Sequence, residues 1–306
     1  MTSKELFLVT GATGKTGSHV VRMLRELGLP VRAMVHRADA RSETLAELGA
    51  DVVQGDLLDL DRVSAAMKGV RAAYFCYPID PGGLLDATTI FAQAASDERI
   101  DAVVNMSQIS ARREAGSHAA RHHWLGERLL DRFPFVTTHL RPTFFAEWLI
   151  WQWSRDSTGG VLRLPFADGR HAPISAVDQA RVITSILRDP VPHDRAIYRL
   201  VGPVEKDHHQ IAREIGDALG EPVRYESVGI DAFAEALRAQ GNGEFLIQHL
   251  TNVAQDYRDG VFAGADDTVE VLSGAPAATV RAFVEANRQA FAGEGQERAW
   301  RTVLDR

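Results

Sequence analysis

Three features of secreted and membrane proteins are missing from this sequence. It contains one cysteine, Cys76, in 306 residues, so no internal disulfide can form. No apolar run approaches the ~20 residues that a membrane helix needs, and the longest, residues 144–153, is interrupted by Glu147 and Gln152. The N-terminal segment lacks the pattern of a signal peptide, since a glycine-rich stretch begins at Gly11. We therefore expect a cytoplasmic protein that does not associate with a membrane.

Positive charge is also scarce. Lys and Arg number 34 against 41 Asp and Glu, which gives a formal net charge of −7 at pH 7 without any basic block. A surface of this kind does not attract phosphodiester backbones, so we expect no nucleic acid partner. Hydrophobic residues make up 45% of the chain and charged residues 25%, the balance of a globular protein with a full core. The chain is therefore expected to be compact.

Hydrophobic patterning in the first 140 residues alternates between short strands and helices. Ser42 is the expected N-cap of the second helix, and Val20, Val21, Leu24 and Leu27 are expected to form the buried face of the first. The predicted strands cover residues 6–10, 31–35, 51–54, 72–76, 102–106 and 136–140, and the predicted helices cover 17–27, 42–48, 62–67, 84–95 and 119–130. This alternation predicts an α/β fold with a doubly wound parallel sheet, the Rossmann arrangement, in strand order 3-2-1-4-5-6.

Beyond Pro142 the pattern changes, which predicts a second structural unit. An aromatic-rich segment leads into a predicted hairpin, and a capped helix, a strand and mostly helical periods follow. These features fall at residues 144–153, 167–169, 175–178, 196–201 and from 210 onward. We expect an NADP-binding domain over residues 1–155, to which 175–202 return, and a smaller, mostly helical substrate cap over 156–306, with the ligand in the cleft between them.

A glycine-rich segment follows the first predicted strand directly and begins the first predicted helix. Glycine at three of its positions leaves room for a tight turn, a close pyrophosphate and helix packing on the strand. Phosphate oxygens would then meet the amide groups of the helix N-terminus. The residues expected to contact the dinucleotide are Gly11, Thr13, Gly14, Lys15, Thr16 and Gly17. A purely structural turn is the alternative.

The end of the second predicted strand distinguishes NAD from NADP. An NAD site places Asp or Glu there on the ribose 2′-hydroxyl, whereas this chain has His36 and Arg37. A guanidinium can hold a 2′-phosphate through charge-assisted hydrogen bonds, so we predict NADP(H) as the cofactor. In the alternative, Arg37 is a solvated loop charge and Asp39 contacts the ribose.

Two further candidates follow the third predicted strand, where the adenine ring is expected to lie. Asp56 is a candidate acceptor for the adenine amino group, and Leu57 is expected to lie against the ring face. The alternative interpretation is that Asp56 is a capping residue in an ordinary turn.

With these motifs, the chain resembles the NmrA-like group of atypical short-chain dehydrogenases over nearly its whole length. The likeness extends from residues 9–17 through Ser107, His123 with Glu127, and residues 140–142. The resemblance implies NADP binding together with an activity such as quinone, dye or iminium reduction, or regulation with little turnover. It also implies that the nicotinamide end of the cofactor passes Tyr77, Pro78, Ser107 and His123, while Pro142, Thr143 and Phe144 lie beside the ring.

The chain departs from the wider superfamily at its usual catalytic pair, Tyr-x-x-x-Lys. Residues 111–133 contain neither tyrosine nor lysine, and His123 and Glu127 stand at the matching spacing. Without that phenol, interconversion of simple alcohols and ketones by this machinery is not expected. Acceptors that take hydride with little help from an acid are expected instead.

His123 and Tyr77 are the candidate catalytic residues. His123 is expected to contact the nicotinamide ribose, with a packed structural histidine as the alternative. Tyr77 follows the fourth predicted strand, at the edge where open α/β sheets bind ligands, and either donates its hydroxyl or covers the cofactor. Cys76 is interpreted as a buried strand residue and not as a nucleophile.

Spacing along the helices assigns the remaining histidine and tryptophan candidates. His118 and His122 are one helical turn apart, but no third ligand completes a site, so no metal is predicted. The adjacent pair His208 and His209 is interpreted as solvated. Trp148 and Trp151 share a helical face, which is typical of a core stripe but also suits a planar substrate. The candidate substrate-contacting residues are His118, Phe145, Trp148 and Trp151.

Together these features predict an NADPH-dependent reductase that passes hydride to a small, planar, conjugated acceptor of the quinone, iminium, dye or enone type. The alternative is an NADP(H)-sensing regulator with a protein partner, which the absent Tyr-x-x-x-Lys pair favours. A non-redox use of the fold, as in an isomerase or a lyase, is a third reading.

Overall fold

The computed structural model describes residues 5–80 and 82–292, with the side chains of residues 151 and 292 excepted. Contacts divide this part of the chain into two compact units. The first contains residues up to 113 together with 121–141 and 176–198, and the second contains 114–120, 142–175 and the residues from 199 onward. Each unit is therefore assembled from three separate stretches of sequence.

The first unit is built around a parallel sheet. In chain order the strands of the described residues are β1 Leu6–Val9, β2 Val31–Val35, β3 Asp51–Gln54, β4 Val70–Phe75, β5 Ala102–Met106, β6 Val136–Pro142, β7 Trp153–Asp156, β8 Gly159–Leu164, β9 Arg170–His171, β10 Ile197–Leu200, β11 Lys206–Asp207 and β12 Val223–Ser227. Seven of them form one sheet in the order β3-β2-β1-β4-β5-β6-β10, and neighbours from β3 to β6 pair in parallel. The predicted order is confirmed, and the strand predicted at 196–201 extends the sheet beside β6.

Helices connect the strands and make up most of the rest of the described chain. They are α1 Lys15–Glu26, α2 Ala40–Glu47, α3 Leu60–Met67, α4 Leu84–Asp97, α5 His118–Leu130, α6 Glu147–Gln152, α7 Ala176–Arg188, α8 His208–Leu219, α9 Ile230–Ala239, α10 Glu244–Arg258, α11 Thr268–Ser273, α12 Val280–Ala286 and α13 Arg288–Ala292, with a 3-10 turn at Val191–His193. Across residues 5–80 and 82–292, none of these helices combines the length and apolar character needed to cross a membrane.

The first helix shows how the hydrophobic pattern sets a packed face. Val20, Val21 and Leu24 recur at helical spacing and are fully buried, where α1 contacts β1 and β2. The expectation that Leu27 joins this face is wrong, because its side chain is 51% exposed. The helix ends at Glu26, and Leu27 is its C-cap residue, so the helical period no longer determines where that side chain lies.

A buried core links the sheet to α3 and α4. Leu8 and Val103 from the sheet pack in one cluster with Phe75 and Phe91, whose ring centroids are 4.5 Å apart. Leu57 and Tyr77 are partly buried against the same cluster. The core therefore fixes two of the loops that follow strands of the sheet, and both loops carry predicted site residues.

The second unit contains two small sheets besides its helices. Strand β8 lies between β7 and β12, and β9 pairs with β11. The predicted hairpin at 167–169 is wrong, because β8 forms its hairpin with β7 through residues 157–158. The segment 165–169 instead leads to β9, which belongs to the other sheet.

Strand β12 lies in a region that the sequence analysis read as mostly helical. It pairs in parallel with β8 over its whole length. Its Arg224 and Glu226 form an ion pair of 2.8 Å on one face, and Tyr225 between them is buried. This alternation has a period of two, which is the strand pattern.

Candidate functional site

The glycine-rich loop between β1 and α1 leads into a helix N-terminus that has no side-chain cap among the described residues. Gly11 has φ +56°, a conformation that side chains disfavour. Gly14 donates its N–H to the Gly11 carbonyl at 2.8 Å and is the N-cap of α1. No side chain caps this helix, and its first turn contains no acidic residue. This helix N-terminus, which no described side chain caps, and the helix dipole therefore suit a phosphate.

Gly17 holds α1 against the loop. A Cβ at this position would collide with the Gly11 carbonyl oxygen and would lie 3.0 Å from the Cα of Ala12. Both contacts are with backbone atoms, which cannot move aside as a flexible side chain can. The position therefore requires glycine for the close approach that the sequence pattern predicted.

Replacing Gly17 with alanine is expected to destabilise the protein by roughly 1–3 kcal/mol, the usual range for overpacking. The loop must shift to accept the methyl group, so dinucleotide affinity should fall as well. Urea unfolding and a coenzyme titration measure the two effects. Gly243→Ala is a suitable control, because a Cβ there would meet nothing within 4 Å. Equal stability and affinity for Gly17→Ala and the native chain would contradict this account of the loop.

After β2, one arginine is unpaired and the nearby carboxylate is occupied. His36 and Arg37 are exposed, and no described residue forms an ion pair or hydrogen bond with the Arg37 guanidinium. Asp39 accepts hydrogen bonds from the backbone N–H groups of Arg41 and Ser42. It also forms an ion pair with Arg41 at 2.5 Å, and hydrogen bonding from Arg41 lowers the pKa of Asp39. The arrangement leaves Arg37 available for an anion.

The N-cap of α2 differs from the predicted one, and it involves Asp39, the alternative candidate for the ribose contact. Asp39, not Ser42, is the N-cap, and Ser42 completes a capping box from the third helical position. The prediction for Ser42 is therefore wrong by three residues. The alternative in which Asp39 binds the ribose requires its carboxylate to leave the cap.

Asp56 lies in a turn after β3. Its Oδ1 accepts the backbone N–H of Leu58 at 2.9 Å, while Asp59 is the N-cap of α3. Asp56 is exposed, so its second oxygen can accept another donor. Leu57 is half-buried against the core. The contact of both residues with adenine stays a prediction.

Tyr77 and Pro78 follow β4, with the phenol half-buried and Pro78 exposed. The Tyr77 hydroxyl lies at the N-cap of α4, where a Cβ on Gly83 would collide with it. Burial and the carboxylates of Asp80, Asp56 and Asp86 raise the pKa of Tyr77. The phenol therefore stays protonated at neutral pH and is a poorer proton donor than an ordinary tyrosine.

Thr10 ties the glycine-rich loop to the loop after β4. Its Oγ1 accepts the N–H of Cys76 at 2.9 Å, and its own N–H donates to the Tyr74 carbonyl at 3.0 Å. Cys76 is half-buried and follows β4, so its interpretation as a buried strand residue is wrong. A Cβ added to Gly11 would lie 3.7 Å from the Cβ of Cys76. Sequence reasoning did not identify Thr10, which occupies the last position of a predicted strand.

A buried network lies at the ends of β5 and β6. Ser107 follows β5 and donates its hydroxyl to Glu127 Oε1 at 2.6 Å. Arg141, in β6, binds the same carboxylate with Nε at 2.8 Å and Nη2 at 2.5 Å. Glu127 is 0% exposed. At the spacing where the superfamily has lysine, this chain thus has a carboxylate whose charge Arg141 neutralises.

His123 and His118 lie on α5 but in different units. His123 is 7% exposed and stands one turn before Glu127. His118 is exposed, its backbone N–H donates to Gln248 Oε1 at 3.1 Å, and its ring centroid lies 6.4 Å from that of Phe245. Within the part of the chain that the structure describes, no group of three or more His, Cys, Asp or Glu could hold a metal ion. The ribose contact of His123 stays a prediction.

The aromatic candidates lie in the second unit. Pro142 is buried at the end of β6, and Phe144 is 1% exposed, with its ring edge-on to Trp148 at 4.8 Å. The half-buried rings of Phe145 and Trp148 are stacked 5.3 Å apart, with 13° between their planes. The side chain of Trp151 lies outside the described residues. Phe144 therefore belongs to the core of its unit, whereas Phe145 and Trp148 form a partly open flat surface.

His208 contradicts its interpretation as a solvated residue. It is fully buried, and its ring is stacked with that of His171 at 4.8 Å and lies 5.0 Å from Phe166. Only His209 of the pair is exposed. Asp207 caps α8, so His208 is its first helical residue, and the ring is buried among aromatic side chains that are distant in sequence.

The sequence profile of the NmrA-like family matches residues 3–272. The chain belongs to the NmrA-like family. This member is 28% identical to NAD(P)H azoreductase of Xenophilus azovorans, over 94% of its own length and 99% of the relative's. It is 30% identical to (4-alkanoyl-5-oxo-2,5-dihydrofuran-3-yl)methyl phosphate reductase of Streptomyces griseus, over 94% of its length and 100% of the relative's.

A solved structure shares the fold of this NmrA-like chain. It is the NADPH-dependent quinone oxidoreductase of Escherichia coli, crystallised with NADPH. The TM-score is 0.79 at 22% sequence identity, and the match covers 92% of this chain and 99% of the other. The family and the Rossmann fold expected from the glycine-rich loop are therefore confirmed.

Proposed function

We propose that this protein is a reductase that transfers hydride from NADPH to a small, planar, conjugated acceptor of the quinone, iminium, dye or enone type. Its coarser function follows from the family and its relatives: the chain is an NAD(P)H-dependent oxidoreductase, and NADP(H) is its cofactor. The relatives in Xenophilus and Streptomyces are named as reductases of quite different compounds. The acceptor is therefore argued from this chain's own residues.

The residues of the first unit fit the cofactor. The N-terminus of α1, with no side-chain cap and no acidic residue in its first turn, suits the pyrophosphate, and Thr13, Lys15 and Thr16 stand at the same place. Arg37 would hold the 2′-phosphate, because its guanidinium is exposed and unpaired among the described residues. Ser107 and His123 would stand near the nicotinamide end. When bound, the nicotinamide ring supplies the hydride.

The observation that carries the acceptor class is the buried Glu127–Arg141 ion pair. A superfamily enzyme uses lysine at this spacing to lower the pKa of a phenol, which then exchanges a proton with a carbonyl. Here the position holds a carboxylate that is 0% exposed and paired with Arg141. Tyr77, the nearest candidate phenol in sequence, has a raised pKa. Acceptors that gain a hydride without strong acid assistance therefore suit this site best.

The test is oxidation of NADPH, followed at the nicotinamide absorbance band, with acceptors offered one at a time. Quinones, azo and triphenylmethane dyes, iminium ions and enones form the conjugated group, and saturated ketones of similar size form the control group. We expect turnover in the first group and at least about 100-fold less in the second, since proton delivery by a positioned acid typically contributes 10²–10⁴-fold. Preferential turnover of saturated ketones would contradict the proposal.

The alternative function, an NADP(H)-sensing regulator, is favoured by one observation, the absence of tyrosine and lysine from residues 111–133. A regulator would bind NADPH and turn over no acceptor. It would also bind a protein partner with an affinity that differs between the NADP⁺-bound and the NADPH-bound states. Binding without turnover across the whole panel, together with such a partner, would select this alternative over the reductase.

A further inference from the structure

Ser107 has two hydrogen-bond donors, and the protein uses both. Its backbone N–H donates to the Leu140 carbonyl at 2.8 Å, and its hydroxyl donates to Glu127 Oε1 at 2.6 Å. A serine hydroxyl carries one hydrogen and two lone pairs. After these two bonds, the only hydrogen-bonding capacity left to the Ser107 side chain is as an acceptor.

The Glu127 carboxylate fixes this polarity. Arg141 binds both of its oxygens in a fork, and a carboxylate in such an ion pair can only accept hydrogen bonds. Arg128 adds a more distant positive charge, with Nη2 3.8 Å from Glu127 Oε2. Ser107 therefore cannot reverse its bond and take a hydrogen from Glu127. Releasing the hydroxyl would leave one carboxylate oxygen with a single partner in a site without solvent contact.

We propose that Ser107 meets the bound ligands only as a hydrogen-bond acceptor, so that it binds an N–H or O–H group at the nicotinamide end of the coenzyme and gives no hydrogen bond to the hydride acceptor. Glu127 and Arg141 are positioning residues that act through Ser107. The inference rests on the proposed function and deepens it. A carbonyl or quinone oxygen can only accept, so it finds no partner in Ser107, whereas the nicotinamide carboxamide and the ribose hydroxyls can donate.

The first test separates coenzyme binding from use of the acceptor. Ser107→Ala is expected to raise the Kd for NADPH about tenfold, the loss of one hydrogen bond, and to change KM for the acceptor by less than about twofold. Ser110→Ala is the matched control, because Ser110 lies in the same loop and its buried hydroxyl has no hydrogen-bond partner among the described residues. An unchanged Kd for NADPH with a raised acceptor KM would overturn the inference.

A coenzyme analogue identifies the donor. The 3-acetylpyridine analogue of NADPH has a methyl ketone in place of the amide, so it lacks the amide N–H. If the amide N–H is the donor, the native chain binds NADPH with a lower Kd than the analogue, and Ser107→Ala binds the two with similar Kd values. If a ribose hydroxyl is the donor, Ser107→Ala weakens both coenzymes equally. If Ser107→Ala binds NADPH and the analogue as tightly as the native chain does, neither the amide N–H nor a ribose hydroxyl donates to Ser107, and the inference is refuted.

The role of Glu127 is tested by a double-mutant cycle. Glu127→Gln alone is expected to raise the Kd for NADPH about as much as Ser107→Ala, because an amide can donate to the Ser107 oxygen and the hydroxyl hydrogen is then no longer held away from the ligand. In the Ser107→Ala background, the same change should alter the Kd less than about twofold. Additive effects would show a general structural role and overturn the positioning assignment. If Glu127→Gln does not fold, the Ser107→Ala arms still decide the main inference.

The controls separate this inference from the proposed function. A native chain that binds no NADPH would overturn both together. A native chain that binds and oxidises NADPH, with Ser107→Ala equal to it in Kd, would overturn only the inference about Ser107. Far-ultraviolet circular dichroism of each variant confirms that the comparison is made between folded proteins.

Discussion

Lowering the pH from 7 to 4.5 is expected to remove at least about 5 kcal/mol from the free energy of unfolding, through buried imidazoles of the second unit: His208 and His249 carry this sum, and His171 adds to it in the same direction. Burial lowers the pKa of His208 from 6.5 to about 3. Burial also lowers the pKa of His249 from 6.5 to about 4. The loss is a large part of the 5–15 kcal/mol that stabilises a typical domain.

The direction follows from which state takes up the proton. In the unfolded chain an imidazole is protonated below pH 6.5, whereas in the folded chain these two stay neutral until the pH reaches about 3 or 4. Their contribution is complete above pH 6.5 and is lost as the pH falls toward the folded values, at about 1.4 kcal/mol per pH unit for each group. Asp207 and Asp256 oppose the shifts but do not cancel them.

His249 has a specific reason to stay neutral. Its Nδ1 lies 2.8 Å from the Ser117 hydroxyl, and the Ser117 oxygen also accepts the Ala120 N–H at the start of α5. The hydroxyl hydrogen can donate to an unprotonated Nδ1, so this contact gives the neutral ring a hydrogen-bond partner in its buried site.

Urea unfolding at several pH values between 7 and 4.5 measures how the free energy of unfolding changes with pH. In His208→Leu the loss should be smaller by about 2.5 kcal/mol, the share of that imidazole, while His249 and the buried His171 still contribute. His209→Leu is the matched control, because His209 is the next residue and is exposed. An unfolding free energy that does not change with pH over this range, or an equal effect of the two substitutions, would show that the buried imidazoles do not titrate as described.

Replacing Arg37 with alanine is expected to raise the Kd for NADPH about 10- to 100-fold, the loss of a charge-assisted hydrogen bond to phosphate. The Kd for NADH should change by less than about threefold, because NADH has no 2′-phosphate. Isothermal titration calorimetry with both coenzymes measures the change. The difference should shrink at high salt, since the contact is exposed and screened.

Arg41→Ala is the matched control for Arg37. Arg41 is an exposed arginine four residues away, but its guanidinium is already paired with Asp39. We expect its removal to affect NADPH less than about threefold. A native chain that binds NADH more tightly than NADPH, or an Arg41→Ala effect equal to that of Arg37→Ala, would contradict the assignment of the 2′-phosphate to Arg37.

The sheet could be predicted because its signals are local. β2, β3 and β5 are short apolar or β-branched runs between helical periods, and their predicted bounds agree with the structure. The second unit was harder, because β12 is a short polar strand that forms only by pairing with distant β8. The burial of His208 has the same cause: its aromatic neighbours include Phe166, which is distant in sequence and brought near only by tertiary packing.

The candidate site shows a similar division. The glycine-rich loop and Arg37 stand at fixed distances from predicted strands, so their positions could be stated from the sequence. The ion pair between Glu127 and Arg141 could not be predicted from the sequence, although both residues belong to the motifs that carry the family resemblance. Only the parallel pairing of β5 with β6 brings the end of one strand beside the other. The sequence signal for this pair was an acidic residue, Glu127, one helical turn after His123 in the predicted helix.

The outer strands of the seven-stranded sheet have a consequence for solubility. A flat, apolar sheet margin can recruit the backbone of a second molecule and start aggregation. Here β3 and β10 are the terminal strands, and each is four residues long. Asp51 and Gln54 are exposed on the first, and Arg199 is exposed on the second. Margins this short, each with at least one exposed polar or charged side chain, make poor templates, so concentrated samples should resist fibril growth from this sheet.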